Sequence, residues 1–140
     1  MKYLLDTCVL SELVRPRPDP GLMEWVEGAD EEALYVSVLT LGELQQGIVR
    51  LPDSARRKRL AGWVSKDLRA RFAGRTLAVT AEVAERWGAL QGAAEAKGRR
   101  LPVIDSLLAA TALTEGLVVV TRNTADLRST GAEVLSPWRG

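Results

Sequence analysis

Short apolar runs alternate along the chain with longer stretches in which apolar residues recur at helical spacing. A continuous apolar run of this length is typical of a strand that is buried on both faces of a sheet. The runs predict four such strands and a fifth, shorter strand at the edge of the sheet. The predicted strands are Lys2–Leu5, Leu34–Val38, Thr76–Val79, Leu117–Val120 and Glu133–Leu135.

Helices are predicted between the strands from apolar spacing and from capping residues. Asp19 and Pro20 are a typical helix start, and Thr40 and Glu43 have the spacing of a capping box. Strands that alternate with helices predict an α/β fold, in which helices flank both faces of a central parallel sheet. The predicted helices span about 7–14, 20–28, 40–50, 54–74, 80–98 and 105–115.

Length and composition are typical of one soluble domain, which we expect to span residues 1–140. No apolar stretch approaches the roughly 20 residues that span a bilayer, so we expect no membrane partner. The chain has one cysteine, Cys8, which cannot form an internal disulfide. A lone cysteine fits a reducing compartment, and we expect a cytoplasmic protein.

The net charge of +1 conceals a strong asymmetry along the chain. Residues 1–49 hold three basic and nine acidic side chains, whereas residues 50–75 hold nine basic and two acidic ones. We call residues 50–75 the basic segment. It is either a solvated helix face or a surface that contacts a polyanion such as a nucleic acid.

Three acidic residues stand at or just beyond apolar runs: Asp6, Glu43 and Asp105. A buried carboxylate is costly unless it is paired, hydrogen-bonded or bound to a cation. The chain contains no histidine, which is the commonest general base and the commonest metal ligand. A site built from carboxylates alone favours a hard cation such as Mg²⁺ or Mn²⁺.

The carboxyl ends of parallel strands meet at one rim of the sheet, where α/β proteins bind their ligands. Asp6 ends the first strand, and Asn123 and Asp126 follow the fourth. Glu43 and Asp105 lie near helix starts, which right-handed crossovers bring to the same rim. Oxygen ligands gathered there would hold one or two divalent ions, and a pair about 4 Å apart suits phosphodiester hydrolysis.

Each acid also has a purely structural interpretation. Asp105 could cap its helix, and Glu43 could complete the capping box with Thr40. Asp6 could cap the next helix or pair with a basic residue. One metal site explains the three acids together, whereas the structural interpretations require three separate explanations.

Several stretches resemble PIN-domain proteins, and among them the VapC and FitB toxins of bacterial toxin–antitoxin pairs. These stretches are YLLDTCVLSEL, VSVLTLGELQQGI, LPVIDSLLAATA, VVVTRNTADL and the closing SPW. They occur in the family's order over nearly all of residues 1–138. The resemblance implies a single PIN-like domain with Mg²⁺- or Mn²⁺-dependent endoribonuclease activity, a small antitoxin that neutralises it, and a homodimer.

By position, Asp6, Glu43 and Asp105 match the three main acidic residues of this family. Thr7 matches a small polar residue that orients the first acid. These matches imply a metal site at Asp6 and Asp105, with Glu43 completing the ligand set or orienting the attacking water.

The resemblance also covers the stretch after the fourth strand. Thr121 matches a hydroxyl residue, and Asn123 stands at the fourth acidic position, which holds Asp in some relatives and Asn in others. Asn123 supplies no carboxylate, and Asp126 is an alternative source of one from the next turn. Cys8 stands where Asn or Ser is common, and we interpret it as a small buried residue because a thiolate is a poor ligand for Mg²⁺.

The leading functional hypothesis is metal-dependent hydrolysis of RNA with water as the nucleophile. The basic segment would gather the RNA backbone by charge attraction. Successive residues of one helical turn face different directions, so only a few members can form one stripe. The candidate RNA-binding residues are Arg56, Arg57, Arg59, Lys66 and Arg69.

Two other hypotheses compete with this one. The protein could be a catalytically weak binding module within an antitoxin–promoter complex, in which it would meet DNA only through the antitoxin. It could also be a Mg²⁺-dependent phosphatase that uses Asp6 as a phosphate acceptor. Such enzymes usually need a second Asp two residues later, where this chain has Cys8.

Overall fold

The structure is a computed structural model that describes residues 1–139. Five strands form one sheet in the order β3-β2-β1-β4-β5. Every pairing is parallel, which confirms the predicted α/β architecture. The strands are β1 Tyr3–Leu5, β2 Leu34–Ser37, β3 Thr76–Leu77, β4 Val118–Val120 and β5 Val134–Leu135.

Helices occupy the predicted stretches with shifted boundaries, and a further short helix that was not predicted, α8 Thr124–Arg128, follows β4. They are α1 Thr7–Leu13, α2 Pro20–Gly28, α3 Val38–Val49, α4 Ala55–Gly62, α5 Arg69–Arg71, α6 Ala81–Ala96, α7 Val103–Glu115 and α8 Thr124–Arg128. A short 3₁₀ helix covers Glu31–Ala33. None of the helices described within residues 1–139 is long and apolar enough to cross a membrane.

The predicted capping box at Thr40 and Glu43 is wrong. The cap lies three residues earlier, at Ser37, which accepts the Leu39 N–H at 3.0 Å, and the helix begins directly after β2. Thr40 therefore lies inside α3, fully buried, and its hydroxyl has no hydrogen-bond partner within the described chain. Glu43 does not cap the helix and is available for another contact.

Strand β3 is shorter than the predicted Thr76–Val79. It pairs with β2 through Val36 and Ser37, opposite Thr76 and Leu77. Because the chain turns into α3 immediately after Ser37, β2 offers no further backbone groups with which Ala78 could pair. The strand ends where its neighbour does.

The single helix predicted over residues 54–74 is interrupted. Ser54 caps α4 as expected, by accepting the Arg57 N–H at 3.2 Å. The backbone then forms a π-helical segment, Trp63–Leu68, before α5. Wider turns of this kind shift the faces of the residues that follow, and here Val64, Leu68 and Phe72 all remain buried.

The core lies on both faces of the sheet, as expected for parallel strands. Successive residues of β1 pack on opposite faces of the sheet. Leu5 packs with α1, α2 and α3, and its cluster includes Phe72 after α5. Leu4 packs on the other side against α7 through Leu108 and Ala109. Because β1 lies between β2 and β4, its carboxyl end lies at the middle of one rim of the sheet.

The chain's final described residues lie against α2. Gly21 is buried there, and a Cβ atom added to it would stand 2.5 Å from the carbonyl oxygen of Pro137. The Arg139 N–H donates to Asp19 Oδ2 at 3.1 Å, and the Arg139 guanidinium pairs with Glu24. Only glycine at position 21 permits this close contact.

Candidate active site

The candidate site begins where the two central strands end. Leu5 of β1 lies opposite Val120 of β4, and the Asp6 N–H donates to the Val120 carbonyl at 3.0 Å. Asp6 and Thr121 therefore leave the sheet side by side. This is the rim at which the sequence predicts the acidic residues to meet.

Asp6 is only 8% exposed, and both of its oxygens accept hydrogen bonds. Oδ1 accepts the Thr7 N–H at 2.7 Å, so Asp6 caps α1 as its structural interpretation supposed. Oδ2 accepts the Thr121 hydroxyl at 2.8 Å. One oxygen of Asp6 thus caps α1, and the other is held by the hydroxyl of Thr121, which directly follows β4.

Thr7 contacts Asp6 through its backbone and a second carboxylate through its side chain. Its N–H donates to Asp6 Oδ1, and its hydroxyl donates to Glu43 Oε1 on α3. One residue thereby contacts two carboxylates that are far apart in sequence. Thr7 fixes Glu43 in relation to Asp6.

Asp105 lies in the first turn of α7 but does not cap it. The cap position is Pro102, and no side chain there accepts a helix N–H. The pKa of Asp105 is raised, first by burial and then by the negative charges of Asp6, Asp126 and Glu43. The charges that act on Asp105 are all negative, so the four carboxylates form one repulsive group.

After β4, the carboxylate whose charge acts on Asp105 belongs to Asp126, and Asn123 contacts that carboxylate. Asn123 is exposed, and its side-chain amide donates to Asp126 Oδ2 at 3.1 Å. Its backbone N–H donates to the Thr121 hydroxyl at 3.0 Å. Asn123 therefore holds Asp126, whose charge in turn acts on Asp105.

Cys8 is half-buried at the edge of this group. Its sulfur donates to Asp6 Oδ2 at 3.7 Å and accepts the Arg122 N–H at 3.5 Å. Burial, followed by the charge of Asp6, raises the pKa of the thiol. Cys8 thus remains a protonated thiol at neutral pH, which agrees with its interpretation as a small packing residue.

The side chains available fit a hard divalent cation by their chemistry. Asp6, Glu43, Asp105 and Asp126 present only carboxylate oxygens, the ligands that Mg²⁺ and Mn²⁺ prefer. A cation would offset both the burial and the neighbouring negative charges that raise the pKa of Asp105. Within residues 1–139, however, no three acidic, cysteine or histidine side chains already stand as a complete set of metal ligands.

The basic segment divides into engaged and exposed side chains. Arg71 and Arg75 both pair with Glu31, the first residue of the 3₁₀ helix, and this pairing lowers the pKa of Glu31. Arg57 is half-buried, and its guanidinium donates to the Leu51 carbonyl at 3.4 Å. Arg57 is therefore a weaker RNA-binding candidate than predicted. The exposed candidates are Arg56, Arg59, Lys66 and Arg69.

A cleft of about 510 Å³ lies away from the acidic group. Tyr3 and Trp25 line it and pack edge to face with their ring centroids 4.9 Å apart. Its acidic lining residues already have partners: Glu24 pairs with Arg139, and Asp30 caps the 3₁₀ helix. None of the residues that line this cleft belongs to the acidic group.

Comparison with known proteins decides which family has this site. A family model described as "PIN domain" matches residues 3–132. The chain belongs to the PIN-domain family. "VapC ribonuclease Y4jK" of Sinorhizobium fredii is 30% identical over 135 residues, which are 96% of each chain. "Toxin FitB" of Neisseria gonorrhoeae is 31% identical over 135 residues, which are 96% of this chain and 97% of FitB.

The PIN-domain assignment extends to the three-dimensional fold. The solved structure of FitAB bound to an IR36 DNA fragment has a TM-score of 0.91 and 29% sequence identity, and the match covers 99% of this chain and 96% of that one. The resemblance to VapC and FitB toxins inferred from the motifs is thereby confirmed over nearly the whole chain.

Sequence reasoning missed two features of this PIN-domain site. The hydrogen bond from Thr7 to Glu43 joins residues 36 positions apart, and no local sequence pattern predicts it. The sequence leaves open whether Asp126 faces the site. Residues three apart on a helix are neighbours, so the spacing does predict the contact between Asn123 and Asp126. That spacing was the available signal.

Proposed function

We propose that this protein is the toxin of a toxin–antitoxin pair and a Mg²⁺- or Mn²⁺-dependent endoribonuclease. The observation that carries the proposal is the group of carboxylates at one rim of the sheet. Thr7 joins Asp6 to Glu43 through two hydrogen bonds, and the pKa of Asp105 is raised first by burial and then by the charges of Asp6, Asp126 and Glu43. The relatives named as a VapC ribonuclease and as toxin FitB support the reaction and the biological role.

Asp6 and Asp105 are the residues proposed to hold the principal cation, and Glu43 completes the set or orients the attacking water. When bound, the cation supplies positive charge that activates water and stabilises the phosphate oxygens. Thr7 and Thr121 keep the carboxylates of Glu43 and Asp6 in place through their hydroxyl groups. The chain thus prepares the arrangement before substrate arrives.

Asp126 is proposed as the fourth carboxylate of the site, with Asn123 as the residue that orients it. The amide of Asn123 donates to Asp126 Oδ2, which leaves the other oxygen of that carboxylate for the site. The phosphatase hypothesis has less support, because Cys8 is a thiol that contacts Asp6 and is not a second carboxylate.

The proposed partners are RNA, a small antitoxin protein and a second copy of the chain. The FitAB structure was solved with a DNA fragment, which supports contact with DNA through the antitoxin. In the binding-module alternative, the same complex would form, but the toxin would cleave little or no RNA.

Cleavage of RNA by the purified protein tests this proposal. We expect cleavage with Mg²⁺ or Mn²⁺, none in EDTA, and at least about a hundredfold loss in Asp105→Asn, since the variant lacks an anionic ligand. Glu115→Gln, at the exposed far end of the same helix, is the matched control and should cleave normally. Full activity in EDTA would refute the metal-dependent mechanism, and an inactive protein that still binds its antitoxin would favour the binding module.

A further inference from the structure

A cleft of about 340 Å³ lies directly beside the acidic group and shares Glu43 with it. It runs between the first turns of α3 and the start of α7. The remaining lining residues are Val38, Leu39, Gly42, Gln46 and Ile104. The cleft is thus continuous with the carboxylates proposed to act on the phosphodiester.

The walls of this cleft are apolar and partly open to solvent. Val38 is 40% exposed, and Leu39 and Ile104 are half-buried. The single charged lining residue is Glu43, so a phosphate group would meet repulsion there. The surface suits a flat, uncharged group with apolar faces.

Gln46 supplies the neutral polar group of the cleft. It follows Glu43 by three residues on the same helix, so the two side chains lie on neighbouring positions of one face. A glutamine amide both donates and accepts hydrogen bonds, which allows it to pair with the edge of a heterocycle. The apolar walls can contact the face of such a ring while the amide of Gln46 hydrogen-bonds to its edge.

We propose that this cleft binds an unpaired nucleobase of the RNA, adjacent to the phosphodiester that is cleaved. The inference rests on the proposed ribonuclease function and names the part of the substrate that this region recognises. Proteins that bind unpaired bases hold the base faces between aromatic or apolar side chains and bind the base edges with polar side chains. In this cleft the aliphatic residues Val38, Leu39 and Ile104 would contact the faces. A base in the cleft would bring its own phosphate toward the proposed cation, whose positive charge would offset the repulsion from Glu43.

Gly42 offers a way to fill the cleft without disturbing the fold. A Cβ atom added at Gly42 would meet no atom within 4 Å, and the same is true of Gly47, which lies on α3 but does not line the cleft. Leucine is a better helix former than glycine, so Gly42→Leu and Gly47→Leu should both fold well. Only the first places a side chain where the base would lie.

The experiment uses single-stranded oligoribonucleotides whose cleavage position has first been mapped. The base on either side of the cleaved phosphate is then replaced by an abasic ribose. We expect one of these replacements to lower the kcat/KM of the wild-type protein at least about fivefold, the value of one lost stacking contact. Gly42→Leu should lower cleavage of the intact oligonucleotide by a similar factor and be insensitive to the abasic replacement, whereas Gly47→Leu should behave like the wild type.

Gln46→Ala should change which base is preferred, and Gln45→Ala, the exposed neighbour, should not. Equal cleavage of intact and abasic oligonucleotides by the wild type would overturn the proposal. So would a Gly42→Leu variant that retains full base dependence but loses its dimer or its antitoxin, because the cleft would then be a protein interface.

A binding measurement separates this inference from the catalytic one. Fluorescence anisotropy in EDTA reports base-dependent binding of the same oligonucleotides without cleavage. Base-dependent binding that Gly42→Leu removes would support the cleft even if the wild type cleaved nothing. Binding that ignores the abasic replacement would refute the cleft while leaving metal-dependent cleavage intact.

Discussion

At the scale of single residues, the site depends on hydroxyl groups that hold carboxylates. Thr7→Val keeps the size of the side chain and the backbone N–H to Asp6 but removes the hydrogen bond to Glu43. We expect RNA cleavage to fall by about 10- to 100-fold, the usual effect of losing a residue that orients a metal ligand. Thr7→Ser keeps the hydroxyl and should retain most of the activity, as steady-state kinetics would show.

The melting temperatures of the two Thr7 variants provide the control. If Thr7→Val were equally active, Glu43 would need no support from α1. A large loss of stability in both variants would instead indicate that the methyl group of Thr7 matters for packing.

Asp105 gives a pH-dependent prediction without any substrate. Its pKa is raised above the ordinary 3.8, so the folded protein binds this proton more tightly than the unfolded chain does. The stability that Asp105 contributes is therefore complete below pH 3.8 and is lost as the pH rises through its folded pKa. In EDTA, Asp105→Asn should melt at a higher temperature than the wild type at pH 7, and the difference should disappear toward pH 3.8.

Thermal melts across this pH range would check the sign. Asp53→Asn, a change at an exposed loop residue, is the control and should show no such trend. A variant that is less stable at pH 7 would mean that Asp105 makes a favourable contact in the folded state and is not repelled by its neighbours.

The residues of the site show what sequence can and cannot supply. Asp6, Glu43 and Asp105 stand out because carboxylates beside apolar runs are costly without a task. Their hydrogen-bond partners Thr7 and Thr121 do not stand out, because a threonine after a strand is common and its contact with a distant residue is visible only in the fold. The meeting of these acids at one rim was predictable, whereas the pairwise contacts among them depend on distances that only the fold sets.

At the scale of elements, capping residues predicted helix starts where a loop precedes the helix. Asp19, Ser54 and Thr80 all cap as expected. The prediction failed at α3, where strand and helix follow each other without a loop and two hydroxyl residues compete. Ser37 caps the helix and Thr40 is enclosed by it, and the local pattern could not choose between them.

Helix α2 provides a prediction about packing between elements. Gly21→Ala would place a methyl group against the Pro137 carbonyl and the Arg139 side chain, so the last residues must move. We expect a loss of about 1–3 kcal/mol in the free energy of unfolding, as for other overpacked sites. Urea denaturation would measure it.

Gly28→Ala, in the same helix, is the matched control for this change. A Cβ atom there meets nothing within 4 Å, and the variant should be as stable as the wild type or slightly more stable. If Gly21→Ala were equally harmless, the contact between α2 and residues 137–139 would contribute little to stability.

At the scale of the whole molecule, the charge asymmetry gives a prediction for nucleic-acid binding. Arg69 is exposed, while Arg71 is paired with Glu31. Arg69→Gln should lower the slope of log K against log salt by roughly 0.7 if this side chain contacts one phosphate of single-stranded RNA. Arg71→Gln removes the same charge and should leave the slope unchanged.

Binding titrations at several salt concentrations would separate the two variants. Equal slopes in both and in the wild type would mean that this part of the basic segment is a solvated helix face. Weaker binding of the antitoxin with unchanged RNA binding would identify it as a protein-docking surface.

The order of the strands determines when, during synthesis, the rim of the sheet that carries Asp6 can form. β1 is made first but lies between β2 and β4, and Asp6 meets Thr121 only after 115 more residues have been added. Ribosomes add about 5–20 residues per second, so the growing polypeptide spends several seconds with its first carboxylate unsupported. Under the proposed function, the nascent chain is inert throughout that interval.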